Sequence, residues 1–396
     1  MNKPDPGSRL VQLDGLRGLA ALVIMLYHLE MVFRSHGPFV RGYLMVALFY
    51  LLSGFVLAVS TERKLAGGIG ALAFTRARFV RLWPLVAVGA GLAVVRAFFI
   101  GMADPLTLLF WLALDLAMIP VLTGVGPFYR FNGPQWTLFW EIVANFLHAL
   151  LLRRVPTRWL PLLAACFGAG LVLVVQDHGA DNVGVSALTW ETWYRPIARV
   201  GWSYVLGVWM GRVYREGLRT SGLPWHLALL LAVGGIMALP YLPISRANGD
   251  LAFVMAFMPL VMWNVAMSRP PQAIGRMLEW LGNYSLPLYC VHLTVLVWIS
   301  ELLGREVWVR FLAVAAALAD AAAERGLRDL NWTDAARQAH ARNGWIPPAE
   351  GAPPPDPPDA APDSAPDADS HPAPPPPSPP LLPPPWPPRP SSDAND

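Results

Sequence analysis

Apolar runs long enough to cross a bilayer recur about ten times along this chain, and they limit what it can fold into. A bilayer core is roughly 30 Å thick and holds no water, so a crossing segment must satisfy its own backbone groups as a helix. The runs are 11–33, 42–60, 80–100, 134–152, 159–176, 196–214, 224–242, 250–267, 281–303 and 306–323. Because 55% of the residues are hydrophobic and 14% are charged, the sequence predicts an all-α, polytopic membrane helix bundle.

Polar segments flank the predicted membrane domain, which takes in residues 11–323. Residues 1–10 are expected to be a short cytoplasmic N-terminus, and the run after them lacks a small-residue cleavage site, so we interpret it as a retained span. Residues 324–346 are charged and are expected to be a short cytoplasmic segment. Residues 347–396 are rich in Pro, Ala, Asp and Ser, a composition that cannot bury a core, and are predicted to be a disordered tail.

Arginine clusters between the runs indicate the orientation, because cytoplasmic loops carry an excess of Lys and Arg. The clusters are at 63–81, 153–158, 212–219 and 269–276. If the short, proline-bracketed apolar segment 105–122 is re-entrant or lies in the outer interface, all four clusters fall on the cytoplasmic side. We therefore expect ten crossings, with both termini in the cytoplasm.

Charge and cysteine content limit the possible partners. The net charge of +3 is small and the basic residues are clustered between apolar runs, so no nucleic-acid partner is indicated. Cys166 and Cys290 have no second thiol at metal or redox spacing, and we interpret both as small buried hydrophobic residues. No metal site and no tightly bound cofactor is predicted.

Arg17 and His28 share one face of the first predicted helix. Eleven residues make three turns plus about 20°, which separates the two side chains by roughly 17 Å along the axis. With Arg17 at the cytoplasmic edge, His28 lies near the bilayer centre, where an ionisable group is costly and is a functional candidate. A histidine bonded to a neighbouring helix is the structural alternative. Asp14, three residues before Arg17, is close enough to hold its side chain.

Two further spans place polar groups at a similar depth. Glu141 lies about 10 Å from the outer end of its run, where a carboxylate can orient an imidazole or accept from a substrate hydroxyl. His292 reaches mid-depth in its own run, so three polar groups converge in depth, and their contact is a hypothesis. A packing hydrogen bond is the alternative for Glu141. His148, closer to the inner edge, is expected to be interfacial.

Arg78 and Arg81 lie one helical turn apart on the predicted cytoplasmic side. Their guanidinium groups are suited to phosphate oxygens, and an anchor that contacts lipid headgroups is the alternative. Ser53 and Gly54 form a small polar notch in the second run, of a kind that allows helices to pack closely.

Together these motifs resemble the acyltransferase-3 family of integral membrane O-acyltransferases, over roughly residues 10–325. The motifs are Arg17-x10-His28, Ser53-Gly54-Phe55, Arg78-x2-Arg81, Trp136-x4-Glu141 and Gly282-x2-Ser285 leading to His292. The resemblance implies about ten spans and transfer of an acyl group, usually acetyl, from cytoplasmic acyl-CoA to a hydroxyl. The implied acceptor contains carbohydrate: a surface polysaccharide, a lipid-linked sugar or a glycosylated metabolite. The last run ends in Glu324-Arg325-Gly326, where many members have an end like Glu-Arg-Pro.

Acyl transfer from a thioester needs a base for the hydroxyl proton and a grip on the donor. His28 is expected to be the general base or a transient acyl carrier, and Glu141 to orient it or bind the acceptor. Arg17 would help to position the donor, and Arg78 and Arg81 would hold the CoA phosphates. The supporting residues are Asp14, Ser53, Trp136, Ser285 and His292.

The expected partners are acyl-CoA, the acceptor and membrane lipid. The outer loops 101–133 and 177–195 would select the acceptor, with Asp181, Trp190, Glu191 and Trp193 available for hydrogen bonds and stacking. A transporter or flippase that uses buried His and Glu to bind protons or substrate is the alternative function. A membrane sensor or scaffold that acts through the proline-rich tail is a third.

Overall fold

A computed structural model describes residues 10–121, 129–177, 192–218 and 222–342, and the regular elements in these ranges are helices. Residues 1–9, the tail from 347, and the predicted acceptor residues Asp181, Trp190 and Glu191 lie outside the described residues. The helices are α1 (Val11–Val32), α2 (Met45–Ser60), α3 (Glu62–Ala66), α4 (Ala71–Phe99), α5 (Pro105–Leu116), α6 (Gln135–Leu150), α7 (Leu160–Asp177), α8 (Arg195–Glu216), α9 (Trp225–Ala238), α10 (Arg246–Ala252), α11 (Met258–Met267), α12 (Gln272–Leu303) and α13 (Val307–Arg342). A π-helical turn, Phe253–Phe257, joins α10 to α11.

Each predicted apolar run contains a helix, so the all-α membrane class is confirmed. Among the described residues, six helical segments are long and apolar enough to span a membrane: Val11–Val32, Gly42–Ser60, Ala71–Phe99, Thr157–Gln176, Arg246–Met267 and Gln272–Leu303. The count of ten crossings stays a prediction. Buried arginines such as Arg199 and Arg212 make α8 less apolar than these six segments.

Two helices extend well beyond the apolar runs that predict them. α4 begins at Ala71, nine residues before its run, and α12 begins at Gln272, directly after two prolines. Ala, Arg, Glu and Gln are good helix formers, so the backbone continues as a helix where side-chain hydrophobicity falls. For the same reason α13 continues to Arg342, and the charged segment after residue 323 prolongs the preceding helix.

Three of the arginine clusters meet at one end of the bundle, here called the arginine end. Arg153 Nη1 donates to the Leu65 carbonyl (2.6 Å) and Arg212 Nη1 to the Val155 carbonyl (2.6 Å). A depression of about 470 Å³ at this end is lined by Glu62, Arg63, Ala66, Arg153, Arg154 and Arg215. The clusters before and after the segment 105–122 therefore share one side.

α5 does not connect the two ends of the bundle. α4 leads away from the arginine end and α6 leads back to it, and Gln135 Nε2 at the start of α6 donates to the Asp115 carbonyl near the end of α5 (2.6 Å). The segment thus starts and finishes on the far side, as expected for a re-entrant or interfacial segment.

α1 packs closely beside α12, and residue numbers rise together along the contact, so the two helices are parallel. A Cβ atom on Gly18 would lie 2.6 Å from the Leu281 carbonyl oxygen, and one on Gly282 would lie 2.6 Å from the Asp14 carbonyl oxygen. These contacts are with backbone atoms, which cannot move aside as the end of a flexible side chain can. Glycine at these two positions therefore sets the distance between the helices.

α2 packs against α8 in the same manner. A Cβ atom on Gly54 would collide with the Tyr204 carbonyl oxygen, and one on Gly211 would lie 2.6 Å from the Phe55 carbonyl oxygen. The predicted small notch at Ser53 and Gly54 is therefore a site of close helix packing.

A buried ion cluster ties α3 to α6 and α8. Arg212 donates to Glu62 from Nε (2.9 Å) and Nη2 (2.7 Å), and His148 Nε2 lies 3.2 Å from the same carboxylate. His148, expected to be interfacial, is fully buried inside the bundle, beside Glu62 and the ring of Tyr204. Burial raises the pKa of Glu62, but hydrogen bonds from His148 and Arg212 outweigh it and hold that pKa below its usual value.

Gly18→Ala should destabilise the protein, although alanine is the better helix former by about 1 kcal/mol. The added methyl group meets backbone, and overpacking of this kind costs about 1–3 kcal/mol. Thermal unfolding in detergent should show a lower midpoint. Gly91→Ala is the matched control, because open space surrounds Gly91 on α4. Equal stabilisation by both substitutions would contradict the close contact.

Glu62→Gln should lower the free energy of unfolding by about 3–5 kcal/mol at neutral pH, because it leaves Arg212 buried without its counter-charge. Since the folded-state pKa of Glu62 is depressed, its contribution is present above the unfolded pKa of about 4.3 and is lost as the pH falls through the folded value. Unfolding midpoints of the two proteins should therefore converge on acidification. A difference that stays constant from pH 7 down to a pH well below 4 would show that charge at this position is not the cause.

Candidate active site

His28 of α1 and His292 of α12 are in contact. His292 Nε2 lies 3.0 Å from His28 Nδ1, and the ring centroids are 4.9 Å apart. His292 is fully buried, whereas His28 is partly exposed. Two of the three polar groups expected at mid-depth thus come together, on the two helices that pack most closely.

The neighbouring carbonyl groups determine which ring nitrogens carry protons. A carbonyl oxygen only accepts, so His292 Nδ1, 2.9 Å from the Leu288 carbonyl, is protonated and His292 Nε2 bears a lone pair. That lone pair accepts from His28 Nδ1–H, which also lies 3.0 Å from the Ile24 carbonyl. His28 Nε2 is therefore the unprotonated nitrogen, with its lone pair available to a substrate.

Arg17 links α1 to α12 about three helical turns before His28, towards the arginine end. Its Nε donates to Ser285 Oγ (2.9 Å) and its Nη2 to the Gly282 carbonyl (3.0 Å). Asp14 Oδ1 lies 3.2 Å from the same Nη2, as the spacing predicted. The motif Gly282-x2-Ser285 thus supplies two hydrogen-bond acceptors for Arg17. About a third (35%) of the Arg17 side chain stays exposed, so a ligand can still reach it.

Glu141 lies apart from the histidine pair. Ser53 Oγ donates to its Oε1 (3.3 Å), and within the described ranges no hydrogen bond joins Glu141 to either histidine. The contact between α6 and the histidine pair runs through Thr137 and Tyr289 instead. Thr137 Oγ1 lies 2.8 Å from the Tyr289 hydroxyl, and the centroid of the Tyr289 ring lies 5.8 Å from that of His292. The orienting task predicted for Glu141 therefore has no contact to support it, and its acceptor-binding task stays a prediction.

Tyr289 and Thr137 are functional candidates that the sequence reasoning passed over. Both lie in the stretches singled out, but a tyrosine three residues before a histidine has no spacing that distinguishes it from a core aromatic. The sequence pointed to Trp136 instead. Trp136 packs against Tyr129, as Phe139 does, and makes no hydrogen bond to either histidine in the described part of the chain.

Arg78 and Arg81 lie on α4 at the arginine end, away from the histidines. Arg78 lies over the ring of Phe74 (5.4 Å) and interacts electrostatically with His148 of the buried ion cluster. Arg81 is exposed one turn further along the helix. Both lie at the same end as the 470 Å³ depression and its four arginines.

A second buried network occupies the far end, where α1 leads into α2. Asp250 is fully buried, accepts from the Tyr43 hydroxyl (2.5 Å) and lies 3.3 Å from Arg41 Nη1. Arg199 Nη2 donates to the Tyr43 carbonyl (2.7 Å). Sequence reasoning missed this network, although an arginine inside the run 196–214 was itself a signal.

Tyr27 joins this network to the histidine pair. Its ring centroid lies 4.8 Å from that of His28 and 5.5 Å from that of Tyr43. The polar centre of the bundle thus continues from the histidines towards the end opposite the arginines.

The two cysteines differ in exposure. Cys290 is buried as expected, but Cys166 is exposed on α7, most of whose surface faces away from the bundle. No three His, Cys, Asp or Glu side chains are grouped as metal ligands in the ranges that the structure covers.

Comparisons with known proteins identify a family and two relatives. A protein named protein 2 in picA locus, from Rhizobium radiobacter, is 38% identical over 163 residues, 36% of this chain and 83% of that protein. Acyltransferase MdmB from Streptomyces mycarofaciens is 27% identical over 346 residues, 78% of this chain and 86% of that protein. No solved structure matches. A family model described as an acyltransferase domain matches residues 10–319, which run from α1 into α13. The chain therefore belongs to the acyltransferase-3 family of membrane acyltransferases.

Proposed function

We propose that this membrane acyltransferase moves an acyl group, in the first instance acetyl, from acyl-CoA to a hydroxyl of a carbohydrate-containing acceptor. The observation that carries the proposal is the paired imidazoles of His28 and His292, which leave a lone pair on His28 Nε2. A general base for a hydroxyl needs such a nitrogen, held in one tautomer by a partner.

In the proposed reaction, His28 Nε2 removes the proton from the acceptor hydroxyl as its oxygen attacks the thioester carbonyl carbon. The carbon–sulfur bond then breaks, and the CoA thiolate takes up the proton from the imidazolium. Throughout, His292 Nε2 accepts from His28 Nδ1–H and stabilises the positive charge that His28 acquires. His28 as a transient acyl carrier would use the same lone pair, and trapping of an acetylated His28 would identify that route.

The donor is proposed to enter from the arginine end. Phosphate groups suit guanidinium forks, and this end has Arg78 and Arg81 as well as the depression lined by four more arginines. Arg17 lies between the arginine end and His28 on the same helix face, roughly 17 Å from the histidine. An acyl-CoA bound with its phosphates here directs its pantetheine arm along α1 towards His28.

The positive-inside rule supports a cytoplasmic location for the arginine end. The first residues of α1 and the end of α13 then face the cytoplasm, in a bacterial inner membrane. A transporter or flippase is less well supported, because the family is one of acyltransferases and because a phosphate-binding end has no particular use in it.

His28→Ala should lower the rate of acetyl transfer by about 10²–10⁴-fold, the usual contribution of a general base. His292→Leu should lose part of the same factor, because the Ile24 carbonyl alone then accepts from Nδ1–H and no imidazole stabilises the charge that His28 acquires. His292→Gln should retain more activity, since its amide oxygen can accept from Nδ1–H. The measurement is thiol release from acetyl-CoA by purified protein with simple methyl glycosides as acceptors. His226→Ala is the matched control, an exposed histidine on α9. A fully active His28→Ala variant would refute the assignment.

Arg78→Gln combined with Arg81→Gln should raise the KM for acetyl-CoA by roughly tenfold or more, because each lost hydrogen bond to a phosphate is worth about 1.5–3 kcal/mol. The KM for the acceptor should change far less. Arg76→Gln, at an exposed position on the same helix, controls for the general loss of positive charge. If Arg76→Gln raised the KM for acetyl-CoA equally, Arg78 and Arg81 would contribute only general positive charge and no direct contact with the phosphates.

A further inference from the structure

The depression at the arginine end carries an excess of positive charge. Its volume is about 470 Å³, and its arginines come from three parts of the chain: Arg63 on α3, Arg153 and Arg154 after α6, and Arg215 near the end of α8. Glu62 is the acid in this lining, and it is already paired with Arg212 (2.7 Å) and Arg215 (3.2 Å). The charges on the other three arginines therefore favour binding of an anion from outside the protein.

Backbone carbonyl groups hold the arginines of the lining in place. Arg153 Nη1 donates to the Leu65 carbonyl (2.6 Å), and Arg215 Nη1 donates to the Ala58 carbonyl (2.9 Å). Each contact uses one nitrogen of a guanidinium group, which carries five N–H donors. Both side chains are half-buried. A guanidinium that is already fixed in position loses less side-chain entropy when it binds an anion.

Exposed apolar side chains adjoin these arginines along the chain. Leu150 and Leu151 lie at the end of α6, just before Arg153, and Trp159 lies just before α7. Leu151 is 55% exposed and Trp159 is 51% exposed. On a membrane protein, exposed leucines face lipid chains and tryptophan favours the level of the headgroups. The arginines between them therefore lie where headgroup phosphates are found.

This combination suits an anion that has hydrocarbon next to its charge. Phosphate oxygens accept from guanidinium groups, and a phospholipid places its acyl chains on the side where Leu151 and Trp159 are exposed. CoA has polar groups on both sides of its phosphates, and its proposed contacts, Arg78 and Arg81, lie outside this lining. Basic pockets between spanning helices on the cytoplasmic side are known to bind headgroups of anionic lipids.

We propose that this depression binds the phosphate headgroup of an anionic phospholipid, with Arg153 and Arg154 donating to the phosphate and with Leu151 and Trp159 packing against the acyl chains. The lipid then connects α3, α8 and the segment between α6 and α7 at the membrane surface. The site goes beyond the proposed function, because lipid binding requires no step of acyl transfer. It makes the stability of the protein depend on the headgroup charge of the surrounding membrane.

The test measures lipid binding by the full-length protein in dodecyl maltoside, with dioleoyl phosphatidylglycerol and dioleoyl phosphatidylcholine as probes. Because the acyl chains are the same, a difference reports the headgroup. Phosphatidylglycerol should bind about tenfold more tightly or better, and should raise the unfolding midpoint more, since a ligand of the folded state stabilises it. Arg153→Gln combined with Arg154→Gln should weaken the binding of phosphatidylglycerol by about tenfold or more, because two charges beside the phosphate are lost.

Arg269→Gln combined with Arg276→Gln is the matched control, because both arginines are exposed and lie outside the lining. This variant should bind phosphatidylglycerol as the wild type does. The lipid site is overturned if the control loses affinity equally, if the variant of Arg153 and Arg154 keeps the wild-type affinity, or if phosphatidylcholine binds as tightly as phosphatidylglycerol.

Competition with CoA distinguishes a lipid phosphate from the phosphates of the donor. CoA should leave phosphatidylglycerol bound to the wild type. Displacement of the lipid by CoA, with loss of CoA affinity in the variant of Arg153 and Arg154, would assign the depression to the donor and overturn the proposal.

Arg154→Glu keeps the test decisive if the double variant does not fold. Arg154 is exposed, and its Nη1 donates to the Leu150 carbonyl at the end of its own helix. The reversed charge should weaken the binding of phosphatidylglycerol by about tenfold or more. Unchanged affinity in this variant would overturn the lipid site.

Discussion

The parallel contact between α1 and α12 is the constraint on which the rest of the site depends. Glycines at positions 18 and 282 let the backbones approach, and Arg17 then locks the register by bonding Ser285 and the Gly282 carbonyl. With the register set at one end, the His28 and His292 side chains meet about ten residues further along both helices. A shift of one residue would rotate each side chain by about 100° and separate the two imidazoles.

Two clusters of buried charge, one at each end of the bundle, are each paired within the protein. Near the arginine end, Glu62 pairs with Arg212 and His148, and at the far end Asp250 pairs with Arg41 and Tyr43. Such pairs contribute little net stability, but removing one partner leaves an uncompensated charge and is costly. They tie α3, α6, α8 and α10 into one body, and so keep the ends of the bundle in place around the histidine pair.

The packing of α1 places the arginines and the histidines at different heights along one helix. Its first residues lie at the arginine end, and its last residues lead into the buried network of Arg41, Tyr43 and Asp250 at the far end. His28 lies nearer the far end, roughly 17 Å along the axis from Arg17. Arg17 keeps about a third (35%) of its side chain exposed and His28 is partly exposed, so a ligand can reach either residue.

The sequence by itself determined the membrane helix class, the pairing of Asp14 with Arg17 and the heights of Arg17 and His28 along α1, because these depend on hydrophobicity and on the rise of a helix. Its prolines, short length and flanking arginine clusters also favoured a re-entrant or interfacial position for the segment 105–122 over a crossing. Only the tertiary structure decided that His292, and not Glu141, contacts His28, and that Tyr27, Glu30 and Asp250 surround the far side. Depth follows from counting residues, whereas the direction in which each side chain points depends on how helices far apart in sequence pack against one another.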